Sequence, residues 1–226
     1  MGSDERRLRA MWPFVRSHLP GPEASVLEIG CGPLGGFVPM LLNEGHRAVG
    51  VDPKAPDGEP YHQVEFERHD VSAPVDVVVA STSLHHVADI GDVLDRVAMA
   101  LNPGGVVIVV EWASERFDEP TARWCFDRLP ALGPEEEPGW LRRHHDRWRD
   151  SGESWDTYFQ GWRREEGLHG SEAVLRELDS RFDRTVCRYG PYFFIALADT
   201  TMADEQAAID AGEIPASGIS YAARRR

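Results

Sequence analysis

The sequence predicts an α/β fold: a doubly wound, mostly parallel seven-stranded sheet that ends in an antiparallel hairpin and carries a helical lid insertion. Three observations lead there. Short apolar runs alternate with helical stretches from residue 7 to residue 112, the pattern of a parallel sheet covered on both faces. A glycine-rich turn, Gly30-Cys31-Gly32-Pro33-Leu34-Gly35-Gly36, follows the first apolar run. Two extended runs within 182–199, joined at Gly190-Pro191, read as a hairpin instead of another crossover.

In chain order, RLRAMWPFVRSHL (7–19) reads as an amphipathic helix broken or kinked near Pro13 and ended by Pro20-Gly21-Pro22. ASVLEIG is a short buried strand, and the glycine loop leads into an apolar helix over roughly 36–43. Glu44-Gly45-His46 stops that helix. AVGVD, ending at Asp52, is a second strand; QVEFERHD (63–70) is a third by its alternation; VDVVVAS (75–81) is a fourth. Ile90, Val93, Leu94, Val97 and Leu101 recur at helical spacing, and Asn102-Pro103-Gly104-Gly105 stops that helix before a fifth strand, VVIVVEW. Residues 113–168, rich in Trp, Arg and His, form the lid; 169–199 hold a closing helix and the hairpin; the 200–226 tail has a short helix and an extended piece. The chain is thus expected to be one domain, with residues 1–22 an N-terminal helix and 23–112 the core.

Composition narrows the partners. A formal charge of −14 opposes a polyanion, because nucleic-acid binders depend on basic surfaces that release counterions. The basic stretch WLRRHHDRWRD (140–150) is the only local candidate for a basic patch, and it reads as a solvated helix face in preference to a binding patch. The longest apolar run, Val106–Val110, is too short to cross a bilayer, and no signal-like segment opens the chain. Cys31, Cys125 and Cys187 are widely spaced with no C-x-x-C, which favours a reducing cytoplasm over a disulfide or zinc framework. His144-His145-Asp146 lacks metal-ligand spacing, so no metal is expected. A small-molecule partner is the default, with no nucleic acid and no membrane; the oligomeric state is not legible.

In open α/β sheets the ligand sits beyond the carboxyl ends of the strands, and those ends are informative here. Asp52 stands 20 residues past Gly32, where a carboxylate accepts from ribose hydroxyls. Asp70 is placed for an exocyclic adenine amine and Val71 for the ring. Ser81 to His86 end the fourth strand, and Glu111 ends the fifth. Up to this point a nicotinamide dinucleotide and S-adenosyl-L-methionine both fit, since both carry adenosine.

Taken together, VLEIGCGPLGG, VGVD, HDVSAPVDVVVASTSLHHV and LNPGGVVIVVE, in that order, resemble a class I S-adenosylmethionine-dependent methyltransferase of the small-molecule branch with a Leu-His-His-Val motif. The resemblance covers roughly residues 24–112 and extends to the closing hairpin. It implies a Rossmann-like sheet, S-adenosyl-L-methionine as cofactor and S-adenosyl-L-homocysteine as product. It assigns cofactor contacts to Glu28, Gly30, Cys31, Gly32, Asp52, Pro53, Asp70, Val71 and Ser81. It also implies methyl transfer to a hydroxyl, with His85 as general base oriented by Glu111, 26 residues further on. His86, Arg143 and Tyr158 are expected against the acceptor. Two positions depart from the family loop: Leu34 stands where glycine is usual, and Pro33 removes a backbone N–H. The methionine end is then expected to take its donors from Arg16 or elsewhere in the N-terminal helix. The competing readings are an NAD-dependent oxidoreductase and a non-catalytic S-adenosylmethionine-binding module.

Overall fold

The structure, a computed structural model, describes residues 2–131, 133 and 137–226. Up to Trp112 the elements are α1 (Ser3–Ser17), β1 (Ser25–Ile29), α2 (Val38–Asn43), β2 (Arg47–Val51), β3 (Tyr61–His62), β4 (Val75–Ser81), α3 (Ile90–Ala100) and β5 (Leu101–Trp112). Then come α4 (Glu119–Phe126), α5 (Trp140–Ser151), α6 (Trp155–Glu165), α7 (Ser171–Arg181), β6 (Phe182–Gly190), α8 (Met202–Asp210) and β7 (Gly218–Arg225). These residues form two compact units. The first holds the chain up to Trp112, with His169–Arg188 and Ile219–Arg226; the second holds Ala113–Leu168 and Tyr189–Gly218. Four positions of the expected lid, 132 and 134–136, lie outside the described residues.

The seven strands run in the order β3-β2-β1-β4-β5-β7-β6, mostly parallel with an antiparallel end at β5-β7-β6. Leu27 of β1 lies opposite Val49 of β2 and Val78 of β4. The strand order reverses between β1 and β4, and that reversal opens the crevice beyond their carboxyl ends. One face of the sheet buries Val26, Val77, Val79 and Ile108 against Phe37, Val38 and Leu41, with Val15 of α1 in the same cluster. Each such side chain contributes about 1.5–3 kcal/mol relative to exposure. The expected stripe of α3 is buried at Ile90, Val93, Leu94 and Val97. Asp89 caps that helix by accepting from the Asp92 N–H at 3.0 Å. No helix among the described residues is long and apolar enough to cross a membrane.

Three expectations are corrected. α1 runs unbroken through Pro13. The third strand is only Tyr61–His62, and Phe66–Arg68 form a 3-10 turn whose N–H groups bond locally, Arg68 to Glu65 and His69 to Phe66. The apparent alternation was Phe66 being buried within that turn. The hairpin is also re-partnered. β6 ends at Gly190, and the sheet's remaining strand is β7 of the tail, seated between β5 and β6. The FFIA run (193–196) turns into a 3-10 helix instead. The reason is Glu205, buried on α8, whose carboxylate accepts the N–H groups of Tyr192, Phe193 and Phe194 at 2.7, 3.1 and 2.7 Å. Those are donors that a ladder would need.

The tail arginines are structural. Arg224 and Arg225 donate to the carbonyls of Gly104 and Leu101. Arg226 donates to the carbonyls of Asp179 and Ser180 at 2.9 and 2.6 Å and pairs with Asp183 at 2.9 Å. It therefore satisfies the open carbonyl end of α7.

In the second unit Trp155 is fully buried, and its indole N–H donates to the Phe117 carbonyl at 2.6 Å. Phe117 and Phe159 lie 4.9 Å from its ring. His144 is buried too, bonded through Nδ1 to the Tyr158 hydroxyl at 2.9 Å. Burial, then the charges of Arg147 and Arg143, lower its pKa to about 4, so this ring is a neutral core group near neutral pH.

Candidate cofactor and active site

The crevice at the strand-order reversal is a cavity of about 750 Å³, within the range of cofactor pockets. Its floor is the loop after β1. Gly32 holds φ +63°, and a Cβ there would meet no atom within 4 Å. Backbone thus faces open space in a conformation that L side chains rarely adopt.

Glu28 anchors the loop from beneath. Its Oε2 accepts the N–H groups of Phe37 and Val38 at 2.7 and 3.1 Å, which are open donors at the start of α2. A Cβ on Gly36 would stand 2.2 Å from Glu28 Oε1, so glycine is required at that position. The other oxygen, Oε1, is buried without a hydrogen bond. Burial, opposed by those two N–H groups and reinforced by the Asp52 charge, pushes the Glu28 carboxyl up to about 8. Between about pH 4.5 and 8 the folded chain therefore keeps a proton that the unfolded chain releases, and stability falls as pH rises through that window. Glu28→Gln keeps an amide oxygen for both N–H groups, and its stability is expected to fall less with pH than that of the wild type. Thermal melts of both proteins across that window check this; parallel curves would mean that Glu28 is ionised throughout.

Asp52, at the end of β2, is anchored through Oδ1 by the Lys54 N–H at 2.6 Å. Its Oδ2 accepts no hydrogen bond from any described residue, and the residue lines the cavity. Beside the loop the Cys31 thiol is pushed up to about 12 by burial and by the charges of Glu28 and Asp52, which leaves it an inert wall.

Of the sequence-derived contacts, Glu28, Gly30, Cys31, Gly32, Asp52, Pro53 and Ser81 line this cavity together. Asp70 and Val71 do not. They line a separate recess of about 220 Å³ beside Arg96 and Met99. Phe66 is shared by both spaces, because the chain turns there where a longer third strand was expected. Further lining groups were missed, among them Arg7 of α1, Phe66, Thr82 and Ser83. A buried aromatic just ahead of Asp70 was a usable signal for Phe66. Thr82 had none: it is a β-branched residue at φ +49°, a conformation that costs on the order of 1–3 kcal/mol.

Glu111, at the end of β5, is buried and holds the Leu84–His86 turn. Its Oε2 accepts the N–H groups of Leu84 and His85 at 3.0 and 3.3 Å, and its Oε1 meets His85 Nδ1 at 2.5 Å. Burial raises the Glu111 pKa, but the His85 charge, the bond to that ring and the backbone N–H groups outweigh it, and the net shift is downward. The carboxylate form is therefore held in place. No described group hydrogen-bonds His85 Nε2. The ring does not line the cavity; His86 does, with its ring 4.1 Å from that of His85. Arg143 and Tyr158 stand in the second unit, bonded to the Pro138 carbonyl and to His144. No group of three or more metal-capable side chains occurs among the described residues.

A glycine loop at a strand-order reversal, with a carboxylate at the end of the neighbouring strand, defines an α/β fold with a crevice suited to a nucleoside cofactor. The chain belongs to the methyltransferase domain family, whose model matches residues 4–185. It is 29% identical over 136 residues to a ubiquinone biosynthesis O-methyltransferase of Bradyrhizobium sp. (strain ORS 278), across 54% of this chain and 50% of the relative. It thus spans about half the length of that curated relative. In structure it is similar to an S-adenosylmethionine dependent methyltransferase from Mesorhizobium loti, with a TM-score of 0.57, 21% identity, and coverage of 96% and 98% of the two chains. It is also similar to the N-methyltransferase NodS from Bradyrhizobium japonicum WM9 in complex with S-adenosyl-l-homocysteine, with a TM-score of 0.54, 14% identity and coverage of 99% and 87%. At these identities the two structures establish the fold.

Proposed function

We propose that the chain transfers a methyl group from S-adenosylmethionine to a hydroxyl of a small molecule, with His85 as general base. The observation that carries this is the His85 Nδ1–Glu111 Oε1 pair at 2.5 Å, which leaves Nε2 to take a proton. The residues of the cavity fit the cofactor. Backbone at Gly32 admits close approach, the open oxygen of Asp52 suits ribose hydroxyls, and Phe66 supplies an apolar wall for a base. When bound, S-adenosylmethionine supplies an already activated methyl group, so the protein's main tasks are alignment and proton removal. Orientation supplies on the order of 7–11 kcal/mol, and a positioned base adds about 10²–10⁴-fold. Glu111, held as a carboxylate, fixes the His85 tautomer and stabilises the ring once protonated. The name of the Bradyrhizobium relative favours oxygen as the accepting atom. Among the residues expected against the acceptor, the cavity position supports His86.

Two measurements test this. Calorimetry with S-adenosylhomocysteine should show binding, and radiolabelled methyl transfer to a panel of phenols and catechols should outpace transfer to matched amines. A folded protein that fails to bind S-adenosylhomocysteine at millimolar concentration sinks the cofactor assignment. Preferential methylation of the amines sinks the hydroxyl assignment.

A further inference from the structure

Two spaces meet at one side chain. Among the described residues Phe66 alone lines both the cavity of about 750 Å³ and the recess of about 220 Å³. It is only 5% exposed, so it stands between them as a partition and not as a surface flap. Its backbone is held in place. The 3-10 turn Phe66–Arg68 is closed by the Arg68 N–H on the Glu65 carbonyl and the His69 N–H on the Phe66 carbonyl, at 2.9 and 3.0 Å, and it packs against α3.

Behind the partition, Val71, Pro74, Met99 and Ala100 give the recess apolar walls. Met99 of α3 is 67% exposed and forms its solvent side. The basic groups there are engaged: Arg96 pairs with Asp92 at 3.1 Å, and the His69 ring lies 4.8 Å from that of His62. An apolar cavity of roughly 150 Å³ holds one benzene ring. The recess therefore has room for a phenyl group.

We infer that Phe66 sets the size limit on the cofactor's base. It admits an unsubstituted exocyclic amine and excludes one that carries a bulky apolar group, although space for that group exists behind it. This rests on the adenosylmethionine reading of the cavity. Ribose is joined to the five-membered ring of adenine, and the exocyclic amine is at the opposite end, on the six-membered ring. A base that runs from Asp52, at the end of β2, toward Phe66, beyond β3, thus leads with its amine edge. A group on that amine collides with the buried ring before it reaches the recess.

The test is calorimetry on the full chain with two probes, S-adenosylhomocysteine and its N6-benzyl derivative. The wild type should bind the benzyl probe about tenfold or more weaker than S-adenosylhomocysteine, as for a group forced into a filled site. Phe66→Ala should strengthen binding of the benzyl probe about tenfold or more, because the benzyl ring then enters the recess. Phe66→Leu keeps an apolar side chain in the turn; it should show the same change in smaller measure, and it decides the matter if the alanine variant does not fold. Adding Met99→Trp to either variant fills the recess from α3 and should cancel the gain. A wild type that binds both probes within about twofold, a folded Phe66 variant that gains nothing for the benzyl probe, or a gain that survives Met99→Trp each overturns the assignment of Phe66. A wild-type protein that binds neither probe overturns the adenosine site itself, a separate outcome.

Discussion

Replacing His85 by alanine should lower kcat about 100-fold or more, while the dissociation constant of S-adenosylhomocysteine moves by less than about twofold. The split follows from geometry. His85 is clamped by Glu111 and stays off the cofactor cavity, so under the proposed role its loss removes a proton acceptor and no cofactor contact. Alanine also leaves Glu111 buried without its ring partner, although the N–H groups of Leu84 and Trp112 still reach the carboxylate. Glu111→Gln serves as the companion variant. It preserves the volume and an acceptor, but removes the charge that steadies a protonated ring, and should cost about tenfold in kcat with a changed pH profile. Single-turnover kinetics with a phenolic acceptor check both variants. A loss of under about fivefold in His85→Ala would reduce the ring to a buttress for the Leu84–His86 turn.

The second large effect lies in binding. Asp52→Ala should raise the dissociation constant of S-adenosylhomocysteine about 100-fold, with kcat at saturation nearly unchanged. Hydrogen bonds to a charged group contribute about 1.5–3 kcal/mol each, and about 1.4 kcal/mol is a factor of ten. Two ribose hydroxyls at the proposed contact would therefore account for the expected loss. Asp52 also receives the Lys54 N–H, so alanine loosens the turn after β2 as well. Asp52→Asn separates the two contributions: it keeps an acceptor for Lys54 and loses the charge. If asparagine binds as tightly as the wild type, the turn and not the carboxylate matters. Calorimetry with S-adenosylhomocysteine gives both constants.

The parallel half of the sheet was legible because its signals are local. Val77–Val79 form an unbroken apolar run, the stripe from Ile90 to Val97 has helical spacing, and glycines mark the turn after Ile29. The pairing of the closing strands was not legible. Whether 191–199 continues as a strand depends on Glu205, an acidic residue on a later helix that takes three backbone N–H groups. The third strand failed for a similar reason, since Val64 and Phe66 alternate whether or not a ladder partner is present. In the site, Asp52 was readable from a strand end, Glu28 from its place two residues before the glycine loop, and the His85–Glu111 pair from the motif that carries the resemblance. Arg7 was not, because its place depends on how α1 packs on α2, and nothing in its local sequence distinguishes it from Arg6 or Arg9.

The seating of β7 between β5 and β6 has a consequence for biogenesis. β2, β3, β4 and β5 each pair with a strand already made, so this part of the sheet is able to assemble as it leaves the ribosome. β6 is made before its only neighbour, β7, and until β7 arrives it has no ladder partner. The outer edge of β5 stays unpaired over the same interval. One late strand closes both edges at once, and the arginines at its end lock it to α7 and to the start of β5.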